Sequence, residues 1–141
     1  MKRNKQVQTK LLKGLLDLVI LQFLKNEPMH GYQIITKIRK NFGVYFGPST
    51  IYPMLNQLEK EGYVKSEWNL ESERPKKVYS LTTEGHNLLN FTEDSLNLIC
   101  RKLTLMGMNG KGLVVSRAPR QEVFPAVKKL EKLEKKVNPQ P

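Results

Sequence analysis

The chain has 141 residues, which is the size of about one domain and enough to bury a hydrophobic core without disulfides or metals. It carries 24 Lys and Arg residues against 13 Asp and Glu, a net charge of +11 that indicates a polyanionic partner, either nucleic acid or an anionic membrane surface. A single cysteine excludes an internal disulfide, and the apolar stretch at 15–24 is too short to cross a bilayer. The composition therefore predicts a folded, soluble, cytoplasmic protein.

The positive charge is concentrated at the two ends of the chain. Residues 1–16 contribute +5, residues 17–110 contribute +1 and residues 111–141 contribute +5. Two further basic clusters lie in the middle part, at 37–40 and 74–77. Such runs can also be ordinary solvated surface, so their meaning depends on whether the fold brings them together.

Hydrophobic periodicity predicts three helices in the first part of the chain. They cover residues 10–25, 31–42 and 50–61. The first ends before Pro28, since the residue preceding a proline is disfavoured in helical conformation. The second and third end at Gly43 and Gly62. We expect the Ser49 hydroxyl to cap the third helix and Pro53 to lie in its first turn.

Two strands joined by a charged loop follow the third helix. The alternating pattern predicts strands over 63–70 and 78–81, with the loop at 71–77. We expect Trp68 to pack the hairpin against the core; stacking on a small ligand is the alternative. Thr82 or Thr83 is then expected to cap a fourth helix over residues 84–106.

The fourth helix carries two apolar rows, although one row is enough to pack it on its own domain. The first row has alternating spacings of three and four residues, as in a helical seam. One of the two rows therefore needs another partner, and we predict a homodimer; packing of both rows inside one monomer is the alternative. The candidate interface residues are Leu89, Leu96, Ile99, Leu103 and Met106.

The order of these elements is that of a winged helix-turn-helix. We predict a mainly α protein with a small β-hairpin (α+β), a long dimerisation helix and a shorter terminal helix. The predicted parts are a basic N-terminal arm at 1–9, a winged-helix domain at 10–82, a dimerisation helix at 83–106, and a hinge with a basic amphipathic helix at 107–141. This last part either reinforces the dimer or reaches along DNA.

In a winged helix, the third helix enters the DNA major groove, and the loop, called the wing, contacts the neighbouring backbone. Asn56 and Gln57 can pair with adenine, whereas the cations of the wing suit phosphate. Residues of the third helix, the wing and the basic clusters are therefore DNA-contact candidates. They are Lys10, Lys37, Thr50, Tyr52, Asn56, Gln57, Lys60, Arg74, Lys76 and Lys77.

Three motifs resemble the PadR family of transcriptional regulators, over about residues 10–90. They are His-Gly-Tyr at 30–32, Ser-Thr-Ile-Tyr-Pro at 49–53, and Tyr-Ser-Leu-Thr at 79–82 followed by Gly85. The resemblance implies a homodimeric, usually repressing protein that binds a roughly palindromic operator. Some members release DNA when a small aromatic or hydrophobic compound binds. The resemblance also places five residues at the DNA-facing entrance of the second and third helices: Tyr32, Ser49, Thr50, Tyr52 and Pro53.

This sequence departs from the family pattern in two places. The wing carries Glu71 and Glu73 beside its cations, which weakens or narrows the expected contact with DNA. Residues 107–141 are longer than the short type of C-terminal region and smaller than the long type. This length puts a pocket for an effector in question.

We expect no enzyme, cofactor or metal. His30, His86 and Cys100 provide no metal-binding pattern, and no catalytic motif is present. We interpret His30 as a structural turn residue. Two alternatives to sequence-specific regulation are a non-specific architectural DNA-binding protein, which the basic ends would suit, and a winged-helix module that binds protein, which the basic wing disfavours.

Overall fold

A computed structural model describes residues 2–107 of the chain. The helices in this part are α1 (Lys2–Gly14), α2 (Leu16–Asn26), α3 (Gly31–Phe42), α4 (Pro48–Lys60) and α5 (Thr83–Met106), and the strands are β1 (Met29–His30), β2 (Val64–Asn69) and β3 (Lys76–Leu81). The predicted α+β architecture is confirmed. The predicted terminal helix lies outside the described residues. Within 2–107, no helix is both long enough and apolar enough to span a membrane.

The chain divides into two compact units, residues 1–89 and 90–141, and the boundary lies within α5. In the first unit, α2 is buried on nearly all sides, since the consecutive residues 18–21 are each at most 8% exposed, whereas α3 and α4 each bury one side together with the sheet. Side chains with no exposed surface include Ile20, Leu21, Ile34, Ile38, Ile51, Leu55 and Leu89. The buried residues of α3 and α4 recur at the helical spacing from which the second and third helices were predicted.

The prediction of one helix over residues 10–25 is wrong. Helix α1 ends at Gly14 and α2 begins at Leu16, with Leu15 in a non-helical conformation between them. Glycine is a weak helix former, and this explains the break. Residues 2–9, predicted as an arm, are part of α1, since Lys, Arg and Gln favour helix at these positions.

The sheet has one more strand than the predicted hairpin. Strand β1 pairs with β3 in antiparallel register, Met29 opposite Tyr79, and the strand order is β1-β3-β2. A strand of two residues is too short to give a sequence pattern. Lys76 and Lys77 belong to β3 and not to the loop, because they pair with the end of β2.

Trp68 does not pack the hairpin against the core, contrary to our expectation. Its side chain is 63% exposed, whereas Val64 on the same face of β2 is 2% exposed. Trp68 lies opposite Lys77, near the tip of the hairpin and beyond the part that covers the core.

Helix α4 begins earlier than predicted. Its N-cap is Gly47, with no side-chain cap, so the prediction that Ser49 caps the helix is wrong. Pro48 occupies the first helical position, which suits its fixed φ angle. This earlier start places Pro53 beyond the first turn, inside the helix.

The start of α5 is held by two contacts. The Gly85 N–H donates to Thr82 Oγ1 (3.0 Å), so Thr82 is the cap of the two candidates. The Thr82 hydroxyl donates to the Gly62 carbonyl (2.6 Å). A Cβ at Gly85 would lie 2.0 Å from the Tyr63 carbonyl oxygen, so this close approach requires glycine.

Candidate nucleic-acid interface

A groove of about 490 Å³ lies between the start of α3, one face of α4 and the hairpin; we call it the wing groove. Its lining residues are His30, Tyr32, Tyr52, Asn56, Trp68, Pro75, Lys76, Lys77 and Tyr79. The structure therefore brings together five of the predicted DNA-contact residues, from three separate parts of the sequence. Sequence reasoning did not assign His30, Trp68 or Tyr79 to this surface. A tryptophan near the outer end of a short predicted strand was the available signal.

The His-Gly-Tyr motif shapes one wall of the wing groove. A Cβ at Gly31 would lie 2.6 Å from the ring of Tyr52, so the missing side chain lets Tyr52 of α4 lie directly on α3. The rings of His30 and Tyr32 are stacked, with their centroids 6.5 Å apart. The groove thus has an aromatic wall built by both helices.

His30 has a structural role at the start of α3. Its Nδ1 accepts from the Gln33 N–H (3.3 Å), and its own N–H donates to Gln33 Oε1 (3.0 Å), which completes a capping box. Desolvation and, to a smaller extent, the nearby Lys76 cation lower the pKa of His30. Because Nδ1 can accept only when it is unprotonated, the lowered pKa favours the capped form.

Glu59 joins α4 to both strands of the hairpin. The Ser66 hydroxyl of β2 donates to Glu59 Oε2, and Lys77 Nζ of β3 lies 3.4 Å from Glu59 Oε1. The hydrogen bond from Ser66 lowers the pKa of Glu59 most, and attraction to Lys77 lowers it further. These contacts hold the hairpin against α4, and the ion pair partly neutralises the charge of Lys77.

The remaining predicted DNA-contact residues lie outside the wing groove. Most of them are exposed: Lys10, Ser49, Pro53, Gln57, Lys60 and Arg74, with Thr50 half-buried. The Gln57 amide donates to Glu61 Oε1 (2.5 Å). Lys37 is half-buried, with Nζ 5.1 Å from the ring centroid of Phe23, so its ammonium packs on α2.

A second, larger groove of about 950 Å³ lies between α1, α3 and the segment before α4. Its lining residues are Lys5, Thr9, Tyr32, Ile35, Thr36, Arg39, Gly43, Val44, Tyr45 and Pro48. Tyr32 also lines the wing groove, so the two grooves share one wall. We call this second one the α1–α3 groove.

In the second unit, the described part of α5 exposes many apolar side chains. Their exposed fractions range from 49% to 80%, and they are Phe91, Leu98, Ile99, Leu103, Leu105 and Met106. Leu89, predicted in the same interface, is fully buried in the first unit and belongs to the core of that unit. Leu96 is half-buried. Among residues 2–107, no group of three or more His, Cys, Asp or Glu side chains is arranged to hold a metal ion.

The chain is similar in sequence to transcriptional regulators. The model of the transcriptional regulator PadR-like family matches residues 20–90, half of the chain. The transcriptional regulator Rv3488 of Mycobacterium tuberculosis is 28% identical over 84 residues, which cover 60% of this chain and 78% of that protein.

Solved structures show the same fold. A PadR family transcriptional regulator from Eggerthella lenta is similar with a TM-score of 0.66 and 28% identity, over 80% of this chain and 99% of that one. PadR of Bacillus subtilis, solved in complex with operator DNA, is similar with a TM-score of 0.50 and 29% identity, over 53% of this chain and 44% of that one. The predicted winged-helix class is confirmed.

We predict that the Glu59→Gln substitution loosens the hairpin. Glutamine keeps an acceptor for Ser66 but loses the charge, so the free energy of unfolding at pH 7 should fall by about 1 kcal/mol. Since the pKa of Glu59 is lowered in the folded state, this stabilisation exists above its ordinary value of 4.5 and disappears as pH falls below it. Urea denaturation between pH 3 and 8 measures the difference.

Glu67→Gln is the matched control, because Glu67 is an exposed glutamate on the same strand as Ser66. It should leave stability nearly unchanged. Equal effects of both substitutions, or a difference independent of pH, would contradict the role of Glu59.

Proposed function

The chain belongs to the PadR-like family of transcriptional regulators, and we propose from this premise that it is a homodimeric repressor that binds a palindromic operator sequence-specifically. A transcriptional regulator of this family is not an enzyme, in agreement with the sequence analysis. The observation that carries the proposal is the wing groove, where α4 and the hairpin present polar and cationic groups side by side.

The two sides of the wing groove suit different parts of DNA. Asn56 is an exposed amide on α4 and can pair with the N6 and N7 atoms of adenine in the major groove. Lys76, an exposed cation on β3 with no ion pair among the described residues, suits phosphate. The DNA complex of the Bacillus subtilis relative supports this assignment to a DNA surface.

Other predicted residues extend this surface. Helix α4 begins without a side-chain cap. Since Pro48 has no N–H and the Thr50 N–H donates to the Gly47 carbonyl (3.0 Å), it is the Ser49 N–H that is available to a phosphate. Tyr32 and Trp68 are 68% and 63% exposed at the groove, where their rings can contact sugars and their polar groups can donate to phosphate oxygens. Lys77 contributes mainly by holding Glu59 in position.

The apolar side chains of α5 support the homodimer. Six large apolar residues are at least 49% exposed on the described part of this helix in the second unit, a larger apolar surface than a monomer usually leaves open. A two-fold dimer presents two copies of α4, which matches a palindromic operator. We also propose that a small hydrophobic or aromatic effector releases the protein from DNA. This part of the proposal rests on the family resemblance, and we assign no binding site to the effector.

Two substitutions separate base reading from phosphate contact. Asn56→Ala should change which DNA sequences are preferred, at a cost of about 1 to 3 kcal/mol at one base position. Lys76→Ala should weaken binding to all sequences alike and reduce the salt dependence by about one phosphate contact. Selection of bound fragments from genomic DNA by each purified variant, followed by affinity measurements, gives both results.

Lys65→Ala is the matched control, since Lys65 is exposed on the hairpin and does not line the groove. It should leave preference and affinity close to those of the original protein. The proposal is wrong if no common repeat is recovered, or if Asn56→Ala leaves the preferred sequence unchanged.

A charge placed on the apolar face of α5 should dissociate the dimer. We expect light scattering to give twice the 16.3 kDa mass of the chain for the original protein and the single mass for Leu103→Lys, because a buried unpaired ammonium opposes association. Asn90→Lys adds the same charge at an exposed polar position of α5 and should remain dimeric. A dimeric Leu103→Lys protein would remove this face from the interface.

A further inference from the structure

The α1–α3 groove combines cations with hydroxyl groups and contains no acidic residue. Lys5 of α1 and Arg39 of α3 supply the charge, and Tyr32 and Tyr45 supply phenolic hydroxyls. Neither cation forms an ion pair among the described residues, and both are exposed. The groove therefore has a positive potential without an internal partner to neutralise it.

Each of the two tyrosines of the groove lies against a neighbouring residue. The Tyr45 hydroxyl lies over Gly47, at 3.2 Å from the position of an added Cβ, so this ring covers the beginning of α4. The ring of Tyr32 stacks on His30, which caps α3. The two tyrosines thus lie in the same groove lining as Lys5 and Arg39.

We propose that the α1–α3 groove binds DNA phosphates that flank the half-site contacted by α4 and the wing. This proposal rests on the DNA-binding function proposed above, and it adds Lys5, Arg39 and Tyr45 to the contact surface. Cationic nitrogens and phenolic hydroxyls are among the groups that donate to phosphate oxygens in protein–DNA complexes.

The position of the groove fits the DNA backbone better than a free anion. It shares Tyr32 with the wing groove, so the two surfaces are continuous. In helix-turn-helix proteins, the helix before the recognition helix crosses the DNA backbone, and here that helix is α3. From Tyr32 to Arg39 the axis of α3 rises about 10 Å, so the two ends of this stretch can face different phosphates.

Lys5 and Thr9 precede residues 20–90, the segment matched by the family. One wall of the groove therefore comes from this chain's own N-terminal helix. Among the basic residues of α1, Lys5 thereby has a location on the proposed DNA surface.

The test compares two labelled duplexes that carry the inverted repeat recovered in the selection. One ends at the repeat, and the other extends it by about ten base pairs, one helical turn, on each side. The Lys5→Ala/Arg39→Ala double variant should bind the extended duplex on the order of tenfold more weakly, with a salt slope shallower by about 1.8, as expected for two lost phosphate contacts. On the trimmed duplex it should equal the original protein.

The control variant is Lys13→Ala/Lys40→Ala, which removes the same charge from α1 and from the last turn of α3, at exposed positions that do not line the groove. It should bind both duplexes almost normally. Arg39→Lys keeps the charge and should retain the salt slope. Thermal melting of each variant verifies folding, since Arg39 also stabilises the end of α3.

The proposal is overturned if the groove variant and the control bind the extended duplex equally, or if the groove variant loses as much affinity for the trimmed duplex. A separate result addresses the proposed function itself. If the original protein does not prefer the repeat to a scrambled duplex of equal length, then sequence-specific regulation fails, and this inference fails with it.

Discussion

The contact of Glu59 with Ser66 and Lys77 links the two elements that form the candidate DNA surface. Helix α4 supplies the side chains suited to bases, and the hairpin supplies those suited to phosphates, so the distance between them has to be fixed. The Glu59 carboxylate fixes it by accepting from one strand and pairing with the other. A charge-assisted contact at this point holds two elements that share few buried side chains near the tip of the hairpin.

At two further positions a neighbouring group lies so close to the backbone that only glycine fits. Gly31 lets the Tyr52 ring lie on α3, and Gly85 lets α5 begin against the Tyr63 carbonyl. Both glycines belong to the motifs that resemble the PadR family. The motifs therefore include residues that close backbone packing requires, and this packing joins regions distant in sequence.

Features set by hydrophobic periodicity were predicted correctly from the sequence, whereas features set by single contacts were not. The inward residues of α3 and α4 follow helical spacing, and Gly43 ends α3 in the left-handed conformation expected there. Strand β1 was missed because two residues have no period, and the Ser49 cap was wrong because Pro48 starts the helix earlier. Part of the wing groove was predicted from the sequence. The chemistry of the side chains indicated Asn56, Lys76 and Lys77, whereas the position of His30, Trp68 and Tyr79 in the groove depends on the tertiary structure.

The most direct measurement of the central claim is the ratio of affinities for the selected repeat and for a scrambled duplex of the same length and composition, at about 0.15 M salt. Sequence-specific regulation predicts a ratio of about 1,000 or more, because base contacts add to the phosphate contacts common to both duplexes. A ratio near one would contradict it and would indicate an architectural protein that binds DNA through its charge alone.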